Sequence, residues 1–472
     1  MRQDTNNQVL LAARDAWLAA AAFRSKRERF KRYTYGDQWS DIVTDRHGRA
    51  VREGDLMTQS GASPLTNNMI HQIVKIVIGR YRSMCREDGS YDSRAVYVSD
   101  NALLELDCRM LEEFLISGCA VQRVCRESRR GQSRVWIDNV DPRMFFVNSY
   151  RDPRGNDIEL AGMLHDMSLP EIVTRFAGGS RRRAAELARI YAMSATDEVF
   201  ASQPSLGESD GNADDFFNAP AGRCRAIEVW TLDCRNTPLR HGRHEIKSLR
   251  AGNSGPARVS VRNGGTRRRK GEGLVTGRRT FDFVWHCRWF APDGTLLASY
   301  DSPFAHGSHP FAVKLYPLTD GEVHSFVEDV IDQQRCINRM IMLIDRIIGT
   351  SAKGVLLFPI EQKLKDLSWE EITDAWSRSD GVIPIAGHGA QMPQQVVTSA
   401  ADCGAYQLLS LQMKLFDNIS GVSDVIAGRS VSPSTGNAVY ENQLRNSVIA
   451  LADLLDSFAA FRRDRDYKVD KL

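Results

Sequence analysis

Between Val323 and Ile348 the apolar residues fall at helical spacing for about seven turns. The stripe is Val323, Phe326, Val327, Val330, Ile331, Ile337, Met340, Ile341, Ile344 and Ile348. Thr319-Asp320-Gly321-Glu322 ahead of it fits a capping box, so the pattern predicts one long helix from Gly321 to Gly349. A second long helix is expected over about 401–420 and a third from Asn437 to about Arg463. The stretch Gly421 to Gly436, rich in Gly and Ser/Thr, separates these two. Between the first and second lies a small α/β unit: a strand at Gly354 to Phe358, a short helix at Trp369 to Trp376 and a strand at Gly381 to Ala386.

Upstream the texture is mixed. Residues 6–33 read as one helix whose second half carries Arg24, Lys26, Arg27, Arg29, Lys31 and Arg32, either a solvated face or a phosphate- or partner-facing one. Thr66-Asn67-Asn68 can cap a helix through Ile70, Ile73, Val74, Val77 and Ile78, with Gly79 its expected end. Asn101 to Ser117 is a further amphipathic helix. Strands are expected at Val121 to Val124, Val135 to Ile137 and Met144 to Val147. Leu164 to Ala177 returns to helix, with Ser168 as N-cap, Pro170 in the first turn and Glu171 three residues after the cap. Strands follow at Ala226 to Leu232 and Phe281 to Phe290, where Phe281, Phe283, Trp285, Cys287 and Trp289 share one face, and Pro292-Asp293-Gly294 turns into Leu296 to Tyr300. The fold class is α+β.

Apolar residues make up 42% and charged residues 26% of the 472, enough for a sizeable core and against global disorder. The net charge is only +3, but residues 240–279 hold twelve Lys/Arg against two acids, so this segment is +10 and the rest of the chain −7. With eight glycines it reads as a poorly ordered excursion from a β-hairpin. The longest apolar run near the N-terminus, Ala16 to Phe23, falls far short of the ~20 residues of a membrane span, and its charged flanks do not suit a signal peptide. Nine cysteines, an odd number without a Cys-x-x-Cys pair, predict reduced thiols in a cytosolic protein.

Two common motifs of catalysis are missing from the sequence, Gly-x-x-x-x-Gly-Lys-Ser/Thr and His-Glu-x-x-His. His306 and His309 sit in a Pro/Gly loop without acidic or Cys neighbours, and His286 and Cys287 point to opposite faces of one strand. Asp329, Asp332 and Asp345 alternate with Arg335, Arg339 and Arg346, a pattern of salt-bridged helix surface. No cofactor and no metal is expected.

The order of blocks over the second half is informative. Phe311-Ala-Val-Lys-Leu-Tyr-Pro317 and a Gly turn lead into a helix carrying Glu328-Asp329, Ile331-Asp332-Gln333-Gln334-Arg335 and Ile337-Asn338-Arg339. Ile419-Ser420-Gly421-Val422-Ser423, Ala427-Gly428 and Ser434-Thr435-Gly436-Asn437-Ala438 follow. Tyr35-Gly36-Asp37-Gln38-Trp39, Asn67-Asn68-Met69-Ile70, Val140-Asp141-Pro142 and Phe145-Phe146-Val147-Asn148 precede them. In this order the blocks resemble the portal protein of tailed bacteriophages, the head-to-tail connector.

That resemblance implies a dodecameric ring at one capsid vertex, a channel for packaging and ejecting double-stranded DNA without sequence preference, and no enzymatic activity. Residues 1–318 would be the wing, 319–349 the first stem helix, 350–400 the clip, 401–420 the second stem helix, 421–436 the tunnel loop and 437–472 a helix toward the crown. Partners would be the terminase large subunit, head-completion or adaptor proteins, and the major capsid and scaffolding proteins, in the virion and, during assembly, in the host cytoplasm, with no membrane. Arg429, Arg335, Arg339 and Arg346 become candidates to face DNA, Lys353, Lys363 and Lys365 to dock partners at the clip, and Val330, Ile337, Ile341 and Ile344 to pack against the next subunit. The main competing reading is a basic nucleic-acid-binding protein of replication or recombination. It rests on 240–279 and the N-terminal cluster, and the basic stretch holds no aromatic residue on which a base could stack.

Overall fold

The computed structural model describes residues 2–59, 63–89, 91–92, 96–129, 131–201, 214–238, 279–351, 355–360, 363–377, 382–385, 392–396, 402–422 and 449–472. The basic excursion, Lys353, Arg429 and nearly all of 421–436 lie outside the described residues, as do all of 202–213 and the first part of the helix expected from Asn437.

Mixed helix and sheet make an α+β chain. The N-terminal helix is two helices, α1 (Arg2–Ala19) and α2 (Ala21–Tyr35). The break serves two cores: Leu10, Ala13 and Trp17 of α1 pack on one face of a sheet, while Phe30 and Tyr33 of α2 join a helical cluster. Arg24 holds the joint, donating to the Trp17 carbonyl with its guanidinium 3.6 Å from the centre of that indole. A short hairpin, β1 (Ile42–Thr44) with β2 (Ala50–Arg52), leads to α3 (Glu53–Gln59). Helix α4 (Met69–Glu87) runs through Gly79, its expected end, because Tyr81 and Cys85 continue the buried stripe of Ile73, Val74 and Val77. Helices α5 (Val96–Asp100) and α6 (Leu103–Ser117) follow, the latter closed by Gly118 at φ 72°.

Two sheets come next. Strands β3 (Cys119–Arg129) and β4 (Gln132–Asn139) pair with β10 (Phe311–Leu315) in the order β10-β3-β4. Strands β5 (Phe145–Val147), β6 (Leu160–Met167), β7 (Cys224–Pro238), β8 (Arg279–Phe290) and β9 (Leu296–Asp301) form a five-stranded antiparallel meander in sequence order. Leu164 therefore belongs to a strand, not to the expected helix. That helix, α7 (Leu169–Phe176), begins after the Ser168 cap with the predicted reciprocal Ser168–Glu171 box, and α8 (Arg181–Ala201) and α9 (Asp214–Phe217) precede β7. Strands β7 and β8 pair from Ile227–Phe290 out to Pro238–Arg279, so two paired strands flank the basic segment in the sequence, as expected.

The expected capping box at 319–322 is instead a tight turn. Asp320 (φ 56°) and Gly321 (φ 87°) join β11 (Pro317–Thr319) to β12 (Glu322–Val323). Asp-Gly with both φ positive is the favoured two-residue hairpin turn, and here it wins over helix initiation. The long helix α10 starts at Glu328, whose N–H donates to Ser325 Oγ, and runs past Gly349 to Ser351. In the small α/β unit, β13 (Val355–Leu357) pairs with β14 (Gln394–Val396), not with 381–386; residues 382–385 are not a strand. Helix α11 (Trp369–Ser377) is capped by Ser368 and Glu371. Helix α12 (Asp402–Ser420) packs along α10, and α13 (Ala452–Asp470) closes the chain.

Strand β3 lies between two layers. Its Ala120 and Val124 face the helices, whereas Cys119 and Val121 face the five-stranded sheet. The helical core gathers α2, α4, α6, α10, α12 and α13 around Phe114, Ile337, Phe416, Phe458 and Phe461, all fully buried. The eight cysteines whose side chains are described are free. Among the described residues no helix is long and apolar enough to cross a membrane.

Candidate functional site: the anchored end of the long helix

Helix α10 carries two amides on its buried stripe. Val330, Gln334, Ile337 and Ile341 recur at i, i+4, i+7 and i+11, and Asn338 lies beside them, so Gln334 and Asn338 stand where the helix meets the core. Buried amides must find partners. Gln334 Oε1 accepts from the Met69 and Ile70 N–H groups at 3.0 and 3.3 Å. Asn68 Oδ1 accepts from the His71 N–H at 3.1 Å. The orphan donors that open α4 are thus satisfied partly from α10. Gln334 Nε2 donates to the Asn67 carbonyl at 2.6 Å and to Asn338 Oδ1 at 3.0 Å. Asn338 Oδ1 accepts from the Asn67 N–H at 3.1 Å, and its Nδ2 donates to Gln38 Oε1 at 2.6 Å. Gln38 Nε2 donates in turn to the Tyr33 carbonyl at 3.0 Å.

This node unites three separate sequence blocks: Tyr35 to Trp39, Asn67 to Ile70, and Ile331 to Arg339. Sequence reading singled out each block but not their meeting. The signal that could have joined them is the pair of amides at core positions of an otherwise apolar stripe.

Next to the node, Glu53 at the start of α3 is buried and takes two cations from α10. Arg335 donates to one of its oxygens at 2.9 Å and Arg339 to the other. These two candidates for DNA contact are therefore bound to a carboxylate of their own chain, and Arg335 also lies 4.0 Å from Asp41. Arg346 is exposed farther along α10. Val330 and Ile337 are fully buried in this chain's core and Ile344 is buried at 8%, so they are not an outward stripe; Ile341 is partly buried against the same core. The helix face turned to solvent carries Asp332, Arg339 and Leu343 instead. Lys363 Nζ stands 5.2 Å from the Trp369 ring centre, and Lys365 is exposed.

The basic cluster of α2 is spent internally. Arg27 makes a two-pronged contact with Glu113 at 2.6 and 2.8 Å, Arg29 meets Asp41 at 3.0 Å, and Lys26 meets Glu328 at 3.1 Å. The phosphate-facing reading of this cluster fails, because its side chains cross-link α2 to α6, α10 and the β1 hairpin.

Two further buried charge groups hold the last helix and the sheets. On one side of β3, Arg465 of α13 donates to the fully buried Asp107 of α6, and Gln122 donates to the same carboxylate at 3.1 Å. On the other, Arg123 pairs at 3.3 Å with the fully buried Glu228, which also accepts from Trp230 Nε1 at 2.9 Å and lies 2.8 Å from His165. Burial alone would raise the Glu228 pKa, but Arg123 and His165 hold it below the usual carboxylate range. Burial pushes the His165 pKa down, so the ring is neutral at pH 7. Among the described residues no group of His, Cys, Asp or Glu could hold a metal ion.

The arrangement does no chemistry that can be read from it. It fixes one end of a long helix to the body through a satisfied polar node and leaves the other end, with α12, projecting. A family model described as phage P22-like portal protein matches residues 106–468. The match contains Gln334, Asn338 and Asp107, whereas Gln38, Glu53 and Asn67 lie before it. No curated protein matches the chain.

Proposed function

The chain belongs to the phage P22-like portal protein family, whose members are structural ring-forming components of the phage capsid and not enzymes, and on that premise we propose that it forms a dodecameric ring at one vertex, the channel for DNA packaging and ejection. One observation carries this reading: α10 is anchored at its first half, while the far part of the α10–α12 pair keeps apolar side chains in water. Leu343 is 54% exposed, and Leu408 and Leu411 of α12 are 45% and 51% exposed. Large apolar side chains left in water on both helices call for a cover. In a closed ring each subunit offers one face to the left neighbour and a different one to the right, which suits two unlike faces on α10 and α12.

In this reading α10 and α12 are the stem and β13, α11 and β14 the clip, where Lys363 and Lys365 meet acidic surfaces of the terminase large subunit or of head-completion proteins. Scaffolding and major capsid proteins bind the wing. The Glu53 clamp bears on DNA movement: it holds both Arg335 and Arg339 and offsets one of their two charges, so the stem attracts phosphate less strongly and the duplex slides. The segment around Arg429 supplies the exchangeable contact. The competing reading, a basic replication or recombination protein, has lost one of its two supports, since the α2 cluster is paired within the chain.

Replacing Leu408 and Leu411 together by Asp tests the stem assignment. Both are surface positions, so the subunit folds, while the apolar contact with the neighbour is lost. Sedimentation should show monomers in place of rings. Normal rings would remove α12 from the interface.

A further inference from the structure

The β7–β8 hairpin outruns its sheet. Strand β6 covers β7 only as far as Thr231, and β9 covers β8 only from His286 onward. Beyond those points Asp233–Pro238 and Arg279–Val284 pair only with each other. At about 3.3 Å per residue this two-stranded ribbon projects by roughly 20 Å. Phe281 and Phe283 keep the parity of the buried Trp285, Cys287 and Trp289, yet they are 77% and 69% exposed. Phe281 stands opposite Asn236 and Phe283 opposite Cys234 in the strand register. Two neighbouring phenyl rings on an uncovered ribbon are a liability unless they serve as an anchor.

The same chain holds a cavity of matching character. It measures about 440 Å³, lies between the bend of α1 into α2 and β5, and is lined by Ala19, Ala20, Phe23, Phe145, Val147 and Val323 among others. The exposure of Phe281 and Phe283 means that neither ring fills the cavity of its own chain. The strand order β5-β6-β7-β8-β9 puts the cavity at the β5 edge, and the ribbon leaves from β7 and β8, two or more strands away.

We propose that the Phe281/Phe283 ribbon of one subunit seats in the Ala20–Phe23–Phe145 cavity of the next copy around the ring. The proposal rests on the ring assembly argued above and names a contact outside the stem. The occupant is a second copy for two reasons. Knob and socket are different surfaces of one chain, as a head-to-tail ring requires. The cavity has room for two phenyl rings and walls of alanine and aromatic carbon to receive them.

A photoreactive benzoyl-phenylalanine at position 281 of the full chain tests this. Irradiation should give covalent dimers and higher ladders, with the cross-link mapped to peptides covering 16–26, 145–150 or 321–324. Changing Phe281→Ala and Phe283→Ala together, at side chains with little contact to their own chain, should leave subunit melting unchanged and raise the ring dissociation constant at least tenfold. Ala20→Trp, which fills the socket, should lower the cross-link yield by a similar factor. Rings that cross-link only within one chain, or to peptides elsewhere, overturn the seating alone, as does a double Phe variant whose rings are as tight as the parent's. A particle that is monomeric at every concentration overturns the ring reading and this contact with it.

Discussion

Gln334→Ala probes the node that anchors the long helix. The side chain is fully buried and makes four hydrogen bonds: it accepts from Met69 and Ile70 and donates to Asn67 and Asn338. Truncation takes the last partner from the Ile70 N–H alone: the Met69 N–H and the Asn67 carbonyl keep each other at 2.9 Å, and the Asn338 oxygen keeps the Asn67 N–H. A buried group so left costs about 1–3 kcal/mol. A net loss of about 2 kcal/mol is expected, a sizeable share of a typical domain stability of about 5–15 kcal/mol. The loss is local, so hydrogen exchange is the suitable assay. At about 1.4 kcal/mol per decade, amides at the start of α4 should exchange about thirtyfold faster. Gln333→Ala is the control one position along, since the Gln333 carboxamide oxygen has no partner among the described residues; it should change exchange by less than about threefold. Equal protection in the parent and Gln334→Ala, or equal loss in both variants, would refute the capping of α4 by α10.

Asp107→Ala removes the fully buried partner of the Arg465 guanidinium, which keeps Asp466, and should cost about 3 kcal/mol; trypsin should then cut α13 first, and adding Arg465→Leu should restore part of the protection. Gly79→Ala should stabilise α4 by about 0.5–1 kcal/mol, because the helix continues through this residue and an added methyl meets nothing, whereas no gain in melting temperature would question the helix there. Gly162→Ala should yield no soluble protein, since a Cβ would collide with the Glu228 carbonyl and the Phe146 ring; normal yield would contradict the β5–β6–β7 packing. Acid should destabilise the fold from about pH 6.5 downward: burial first, then neighbouring cations, hold His309 well below its usual value and His306 at about 4, so the unfolded chain takes up protons that the folded one refuses. A melting temperature that is flat or rises between pH 7 and pH 4.5 would count against these buried neutral rings.

Local chemistry was legible wherever a short motif acts by itself. Ser168, Pro170 and Glu171 fix the start of α7, and Pro292-Asp293-Gly294 closes the β8–β9 hairpin with the Ala291 N–H on the Thr295 carbonyl. The misreadings came where two local signals competed or tertiary packing decided. Asp320-Gly321 could open a helix or close a hairpin, and the pairing of Thr319 with Glu322 chose the hairpin. Phe281 and Phe283 had the right parity for the core, but burial depends on how far β6 and β9 extend, which parity does not encode. Of the site, the block around Gln334 and Asn338 stood out in the sequence, and the candidate cations Arg335 and Arg339 lay in it. Their partner Glu53 is nearly three hundred residues away, beyond the reach of any spacing rule. The same holds for Asp107 with Arg465 and for Arg123 with Glu228, which lie far apart in the chain and meet only in the folded interior.

The central claim is a ring, and electron microscopy of the purified full-length chain, with mass photometry on the same sample, tests it most directly. The account predicts a closed ring of about twelve identical subunits around an open central hole, with a mass that is a whole multiple of 53.0 kDa. Monomers, dimers or compact particles without a hole at every concentration and salt would contradict it.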